Sequence, residues 1–108
     1  MLGKKGEKIA RIYLERLKYK FITANFRTRW GEIDLIMKKN NQVVFVEVKT
    51  RTVGNIIAPN YMLSEHKLRR LERAVDIYTR QNNVKDWRFM LVSITKNKNR
   101  FFLKMTDL

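Results

Sequence analysis

The sequence predicts an α/β domain: a mixed central sheet of about five strands with a helix packed against each side. Three observations predict it. Two stretches repeat apolar residues at helical spacing. Several short runs rich in β-branched and aromatic residues alternate with polar turn residues. These segments follow one another as helix, three strands, helix, two strands within 108 residues, which leaves room for one domain and no second.

Taken in order, Lys4 to Lys18 is the first helix, with Ile9, Ala10, Ile12, Tyr13, Leu14 and Leu17 at helical spacing. Glu7 shares a stripe with Ala10 and Leu14, which turns it toward the sheet. A carboxylate early in a helix also favours the dipole without any further role, so both readings of Glu7 stay open. Phe21 to Arg27 is the first strand. A hairpin follows, Glu32–Lys38 and Val43–Arg51, around Lys38-Lys39-Asn40-Asn41-Gln42, which has the chemistry of a tight turn. Thr52 to Met62 is a loop holding Gly54, Pro59 and the apolar Ile56, Ile57, Tyr61 and Met62. Packing on its own domain is the expectation for such a loop, ahead of a flap or an oligomer contact. Ser64 caps the second helix, with Glu65 in its first turn. Leu68, Leu71, Val75 and Tyr78 form its buried stripe, and it fades near Gln81-Asn82-Asn83. Trp87 to Thr95 is a strand, Lys96 to Asn99 a turn, and Arg100 to Met105 the last strand.

Charge speaks to partners. A net charge of +14 attracts polyanions, nucleic acid first. An anionic membrane surface comes second, but no segment reads as a basic amphipathic anchor. No run approaches the ~20 apolar residues of a membrane helix. The N-terminus lacks the apolar core of a secretory signal, so a cytoplasmic protein is expected. Composition also removes mechanisms. Without cysteine there is neither a disulfide framework nor a thiolate metal site. The single histidine, His66, excludes multi-histidine zinc and leaves any Ser-His-Asp triad only that residue. The four glycines form neither a P-loop nor a dinucleotide fingerprint. Carboxylate and lysine chemistry remains, and such oxygen donors suit Mg²⁺ or Mn²⁺.

Two acidic residues then stand out inside apolar strands, Asp34 and Glu47. A turn centred on Asn40-Asn41 sets Ile36 across from Phe45, Asp34 across from Glu47 and Glu32 across from Lys49. Directly opposed side chains have Cβ atoms about 4.5–5.5 Å apart, where like charges are destabilising. With 10 acidic residues against 24 basic ones, the chain had easy ways to avoid that clash. A divalent cation between the two carboxylates would remove it. On the second hairpin strand Val43, Phe45, Glu47 and Lys49 share one face, apolar at one end and charged at the other. Glu32 and Lys49 are also explained by a plain cross-strand ion pair, and Lys49 by a side chain that only reaches for water. Neither accounts for the carboxylate pair.

An acid on one strand followed across a hairpin by Glu-x-Lys resembles the PD-(D/E)xK nuclease superfamily. More closely, the chain resembles the YraN-like family of small bacterial proteins, relatives by fold of archaeal Holliday junction resolvases. Gly6-Glu7, Tyr19, Asn25-Phe26-Arg27-Thr28, Gly31-Glu32-Ile33-Asp34-Leu35-Ile36, Phe45-Val46-Glu47-Val48-Lys49-Thr50-Arg51 and Lys67 carry the likeness, which covers nearly the whole chain. The resemblance implies a restriction-endonuclease-like fold with a Mg²⁺ or Mn²⁺ site formed by Asp34, Glu47 and the Val48 carbonyl, reached by Glu7 from the first helix. Lys49 would orient or deprotonate a water and offset charge on the phosphorane. Arg27, Arg29, Arg51 and Lys67 surround this site in the sequence and are candidates to hold neighbouring phosphates. Trp30 is expected to pack at the rim, with stacking on a base as the alternative, and His66 to be exposed. The expected function is a metal-dependent nuclease acting on DNA, branched or otherwise structured; a two-fold substrate would suit a homodimer. The alternative is a non-catalytic nucleic-acid-binding protein that keeps the fold. A ribosome-associated RNA-binding domain fits the charge but not the opposed carboxylates.

Overall fold

The computed structural model describes residues 2–52 and 63–108. Its elements follow the expected order: α1 (Leu2–Arg16), β1 (Lys20–Arg27), β2 (Glu32–Lys39), β3 (Gln42–Thr52), α2 (Glu65–Gln81), β4 (Trp87–Asn97) and β5 (Arg100–Asp107). The strands lie in one sheet in chain order. All neighbours are antiparallel except β3 and β4, which run parallel from Val43↔Trp87 to Thr52↔Lys96. A parallel pair needs a crossover long enough to return the chain, and α2 lies in that connection. The mixed five-strand α/β architecture is therefore the one the sequence predicts.

The two helices cover opposite faces because β3 alternates strictly. Val44 and Val46 join Ala10 and Leu14 of α1 in one core. Val43 and Phe45 join Leu71, Ala74, Val75 and Tyr78 of α2 in the other. Phe45 is fully buried there and meets the rings of Tyr78 and Trp87 edge-on, at 5.6 and 5.7 Å. Leu68, expected in the buried stripe of α2, is only half-buried; Ala74 takes that place.

Local chemistry sets the element ends. Ser64 takes an extended conformation, and its hydroxyl accepts from the Lys67 N–H at 3.1 Å. Helix α1 stops at Arg16, two residues earlier than the periodicity suggests. Lys18 adopts φ 74°, and the Tyr19 N–H returns to the Leu14 carbonyl at 3.0 Å. Asn40 and Asn41 both have positive φ, 51° and 65°, the signature of a two-residue type I′ hairpin turn. Lys39 and Gln42 close it. Thr52 ends β3 instead of opening a loop, and the rest of the predicted 52–62 loop lies outside the described residues.

One irregularity positions the site. Two residues apart on a strand normally means the same face. Yet Leu35 packs in the α1 core and Ile33 in the α2 core. On β1, Ala24 packs against the α1 core and Phe26 against the α2 core. Both strands change sides at one level, between the pairs Ala24↔Leu35 and Phe26↔Ile33. Asn25 stands at that level with φ 54°, a left-handed conformation that asparagine tolerates better than most residues. Its opposite position on β2 is Asp34.

Candidate metal centre

Pairing between β2 and β3 runs from the hairpin turn to Leu35↔Val46 and stops there. Beyond that point β2 stays with β1 as far as Arg27↔Glu32, while β3 stays with β4 as far as Thr52↔Lys96. The sheet forks. The direct Asp34–Glu47 pairing expected from the sequence is thus absent from the ladder, because the side-change at Asn25 and Asp34 carries β2 away from β3. The side chains nonetheless meet. Asp34 Oδ2 accepts the Val48 N–H at 2.8 Å, replacing a ladder bond with a side-chain one. The Asp34 carboxyl also hydrogen-bonds to Glu47.

Glu47 is 4% exposed, the one charged residue among the described residues that is buried outright. Burial pushes the Asp34 carboxyl up to about 7, and the adjacent Glu47 charge and the Glu7 charge push the same way, against the opposing Val48 N–H. Glu7 joins from α1 because Gly6 lets the helix start press on β3: a Cβ there would lie 2.2 Å from Thr50 Cγ2. Burial again raises the Glu7 carboxyl, a hydrogen bond from the Asn25 side chain opposes this, and the charges of Glu32 and Glu47 add to it. Carboxylates from α1, β2 and β3 therefore share one field. No three His, Asp or Glu side chains among the described residues converge as a complete ligand group, however. The close pair is Asp34 and Glu47, with Glu7 held toward Asn25.

The donor chemistry fits a hard cation. Two carboxylates in a half-dry cleft, one of them retaining its proton near neutrality, are oxygen donors short of positive charge. The Val48 carbonyl would be a third oxygen. In a strand, the carbonyl projects to the same edge as the N–H of its residue, here toward the fork. Mg²⁺ keeps several waters, so two carboxylates and a carbonyl suffice. The cleft has a volume of about 420 Å³ and is lined by Gly31, Glu32, Asp34, Glu47 and, from α2, His66, Lys67 and Arg70.

A protein-family comparison matches residues 6–94 to the uncharacterised protein family UPF0102. The chain belongs to that family. It is 38% identical over 108 residues to a UPF0102 protein of Caldanaerobacter subterraneus subsp. tengcongensis, covering 98% of this chain and 88% of the relative. It is 42% identical over 96 residues to one of Geobacter metallireducens, covering 87% and 79%. The matched span of the UPF0102 model contains every residue of the fork and ends within β4.

In this UPF0102 member the remaining candidates differ in their surroundings. Lys67 points into the cleft: its Nζ lies 2.6 Å from Glu47 Oε2, so an ammonium already answers part of the carboxylate charge. Lys49 shares the face of Glu47, two residues on, and is exposed. Arg27 and Arg51 have protein partners: Arg27 pairs with Glu32 at 3.7 Å, and Arg51 Nε donates to Thr95 Oγ1 at 3.3 Å. In the ladder Glu32 stands opposite Arg27 and not opposite Lys49, because Glu32 belongs to the β1 side of the fork. Arg29 lies over the Trp30 ring, 5.0 Å from its centroid. His66 is exposed and lines the cleft. Sequence reasoning gave Asn25 and Arg70 no role. Asn25 favours the charged form of Glu7, and its signal was an asparagine inside a strand; Arg70 carried none, since its contact spans 40 residues. No described helix is long and apolar enough to cross a membrane.

Proposed function

We propose that this UPF0102 protein is a divalent-metal-dependent nuclease of the PD-(D/E)xK class that hydrolyses phosphodiester bonds in DNA. The observation that carries the reading is the convergence of Asp34 and buried Glu47 at a fork where the sheet opens to solvent. Asp34, Glu47 and the Val48 carbonyl would hold Mg²⁺ or Mn²⁺, with Glu7 behind them. These residues would bring to the site a cation whose chemistry would be to polarise a phosphoryl oxygen and lower the pKa of bound water. The chain's own groups do the rest. Lys49, exposed beside Glu47, orients the attacking water and offsets charge developing on the phosphorus oxygens. The net charge of +14 draws the polyanion in, and Arg27, Arg29 and Arg51 offer guanidinium forks to phosphates beside the scissile one.

The test incubates the protein with plasmid, single-stranded and branched DNA in Mg²⁺ or Mn²⁺, with and without EDTA. Cleavage that chelation abolishes is expected. Asp34→Asn and Glu47→Gln should each lower its rate by at least about a hundredfold, and Lys49→Ala should do the same with binding retained. One observation favours a second reading, a binding protein that retains the fold without catalysis: the Lys67 ammonium already contacts Glu47. Tight binding with no cutting of any substrate by either metal would establish that reading instead.

A further inference from the structure

Trp30 belongs to neither core and is 45% exposed, although tryptophan is the costliest side chain to leave in water. Its mount is rigid. The Thr28 hydroxyl accepts from the Trp30 and Gly31 N–H groups at 3.1 and 3.0 Å and donates to the Gly31 carbonyl at 2.9 Å. The Thr28 N–H closes the turn on the same carbonyl at 2.8 Å. The turn is pressed onto α2: Arg70 Nε donates to the Trp30 carbonyl at 3.2 Å, and a Cβ on Gly31 would lie 2.3 Å from the Arg70 carbonyl oxygen. An exposed indole is thereby held in place by backbone contacts, with no hydrophobic packing required.

Its surroundings suit a nucleotide. The guanidinium carbons of Arg29 and Arg73 lie 5.0 and 5.1 Å from the ring centroid. A cavity of about 580 Å³ lies between the indole and α2, lined by Arg69, Glu72, Arg73, Asp76 and Ile77. Aromatic faces stack bases, and guanidinium groups both stack and take phosphate. The two carboxylates facing the same cavity would repel phosphate but accept from an exocyclic base amine. Asp76 is already tied to Arg80 at 3.1 Å. Cations around an aromatic face, with carboxylates on the α2 wall, match a base flanked by its backbone. The cavity also adjoins the carboxylate cleft, because Gly31 and Arg70 line the latter. Four residues of extended chain separate Trp30 from Asp34, at most about 13 Å. That is a few nucleotide steps along a strand.

We infer that Trp30 is a stacking platform for an unpaired nucleotide, so the substrate presents single-stranded bases beside the strand entering the fork. The inference rests on the nucleic-acid half of the function proposed above. Inside a duplex a paired base has both faces covered by its neighbours, so away from a helix end only an unpaired base can take the indole as a stacking partner. Arg29 is free to leave the ring for the phosphate of the incoming nucleotide, since it lies on the exposed turn.

The experiment is run in EDTA, so that it reads binding without cleavage. Trp87→Phe leaves Trp30 as the single tryptophan of the chain. Its emission should be quenched saturably by a duplex carrying a single-stranded tail and by an unpaired oligonucleotide, and hardly by a blunt duplex. Trp30→Ala should weaken binding of the tailed duplex about tenfold or more while leaving the blunt duplex unchanged, and Trp30→Phe should restore most of the loss. Equal weakening for tailed and blunt duplexes, no weakening, or no quench would overturn the inference. Cleavage without the Trp30 signature would sink the platform and keep the nuclease. Stacking without cleavage in any metal would do the reverse.

Discussion

Two places in this sheet oppose like charges, and they behave differently. Lys20 faces Lys38 directly across β1 and β2, and Lys18 and Lys39 line the same hollow at the hairpin end. Asp34 and Glu47 meet at the other end of β2 and β3. Both lysines of the first pair are exposed, so water and salt screen their repulsion, and Lys39 in addition lies 4.6 Å from the centre of the Tyr19 ring. The sheet stays paired there. At the fork, burial first and the adjacent Glu47 charge second raise the Asp34 carboxyl, although the Lys67 ammonium answers part of the Glu47 charge. Opposition of like charges on the surface therefore costs little, whereas under burial it shifts a carboxyl.

Three substitutions sharpen this contrast. The largest effect belongs to Phe45, on the same face of β3 as Glu47 and two residues before it. Phe45→Ala should cost about 3–5 kcal/mol in a urea melt, because it empties the contact with Tyr78 and Trp87. Across the fork, on β2, the sign changes. Asp34→Asn should raise stability above pH 7, by up to a few kcal/mol. The reasoning follows from a folded carboxyl that titrates near 7 against an ordinary 3.8. Between those values the native chain holds a proton that the unfolded chain has released, so wild-type stability falls as pH rises through the interval. Above 7 the penalty is complete and the substitution removes it; below 3.8 both states are neutral and the advantage vanishes. Melts of the two proteins from pH 3 to pH 8 would check both limits, and a constant difference would break the account. The smallest effect belongs to the exposed pair: Lys38→Gln should change stability by no more than about 0.5 kcal/mol at any of these pH values. A larger gain would mean that the lysines are strained too, and the contrast would fail.

Much of the site was legible because its parts are local. Asn40-Asn41 demands a type I′ turn, that turn fixes Ile36 opposite Phe45, and the count carries on to Asp34 and Glu47. The count failed where it assumed that strands alternate without interruption. Nothing in Phe21 to Arg27 read alone says that Ala24 and Phe26 face opposite ways, because that outcome depends on two cores competing for β1 at once. Lys67 was a phosphate candidate through its charge and its place in the family likeness; its contact with Glu47 joins residues 20 apart in the chain through α2 docking.

By itself the sequence determined the element order, the hairpin turn, the Ser64 cap and the gathering of acidic residues in a basic chain, since each follows from neighbouring residues and their periodicity. Tertiary structure alone decided that β2 leaves β3 beyond Leu35↔Val46, that Asp34 bonds the Val48 N–H in place of the ladder, and that Glu7 and Lys67 reach the same fork from opposite faces. The physical reason is that burial and field strength belong to the assembled sheet. A carboxyl acquires its unusual proton affinity from what surrounds it, and those surroundings come from four separate elements of the chain.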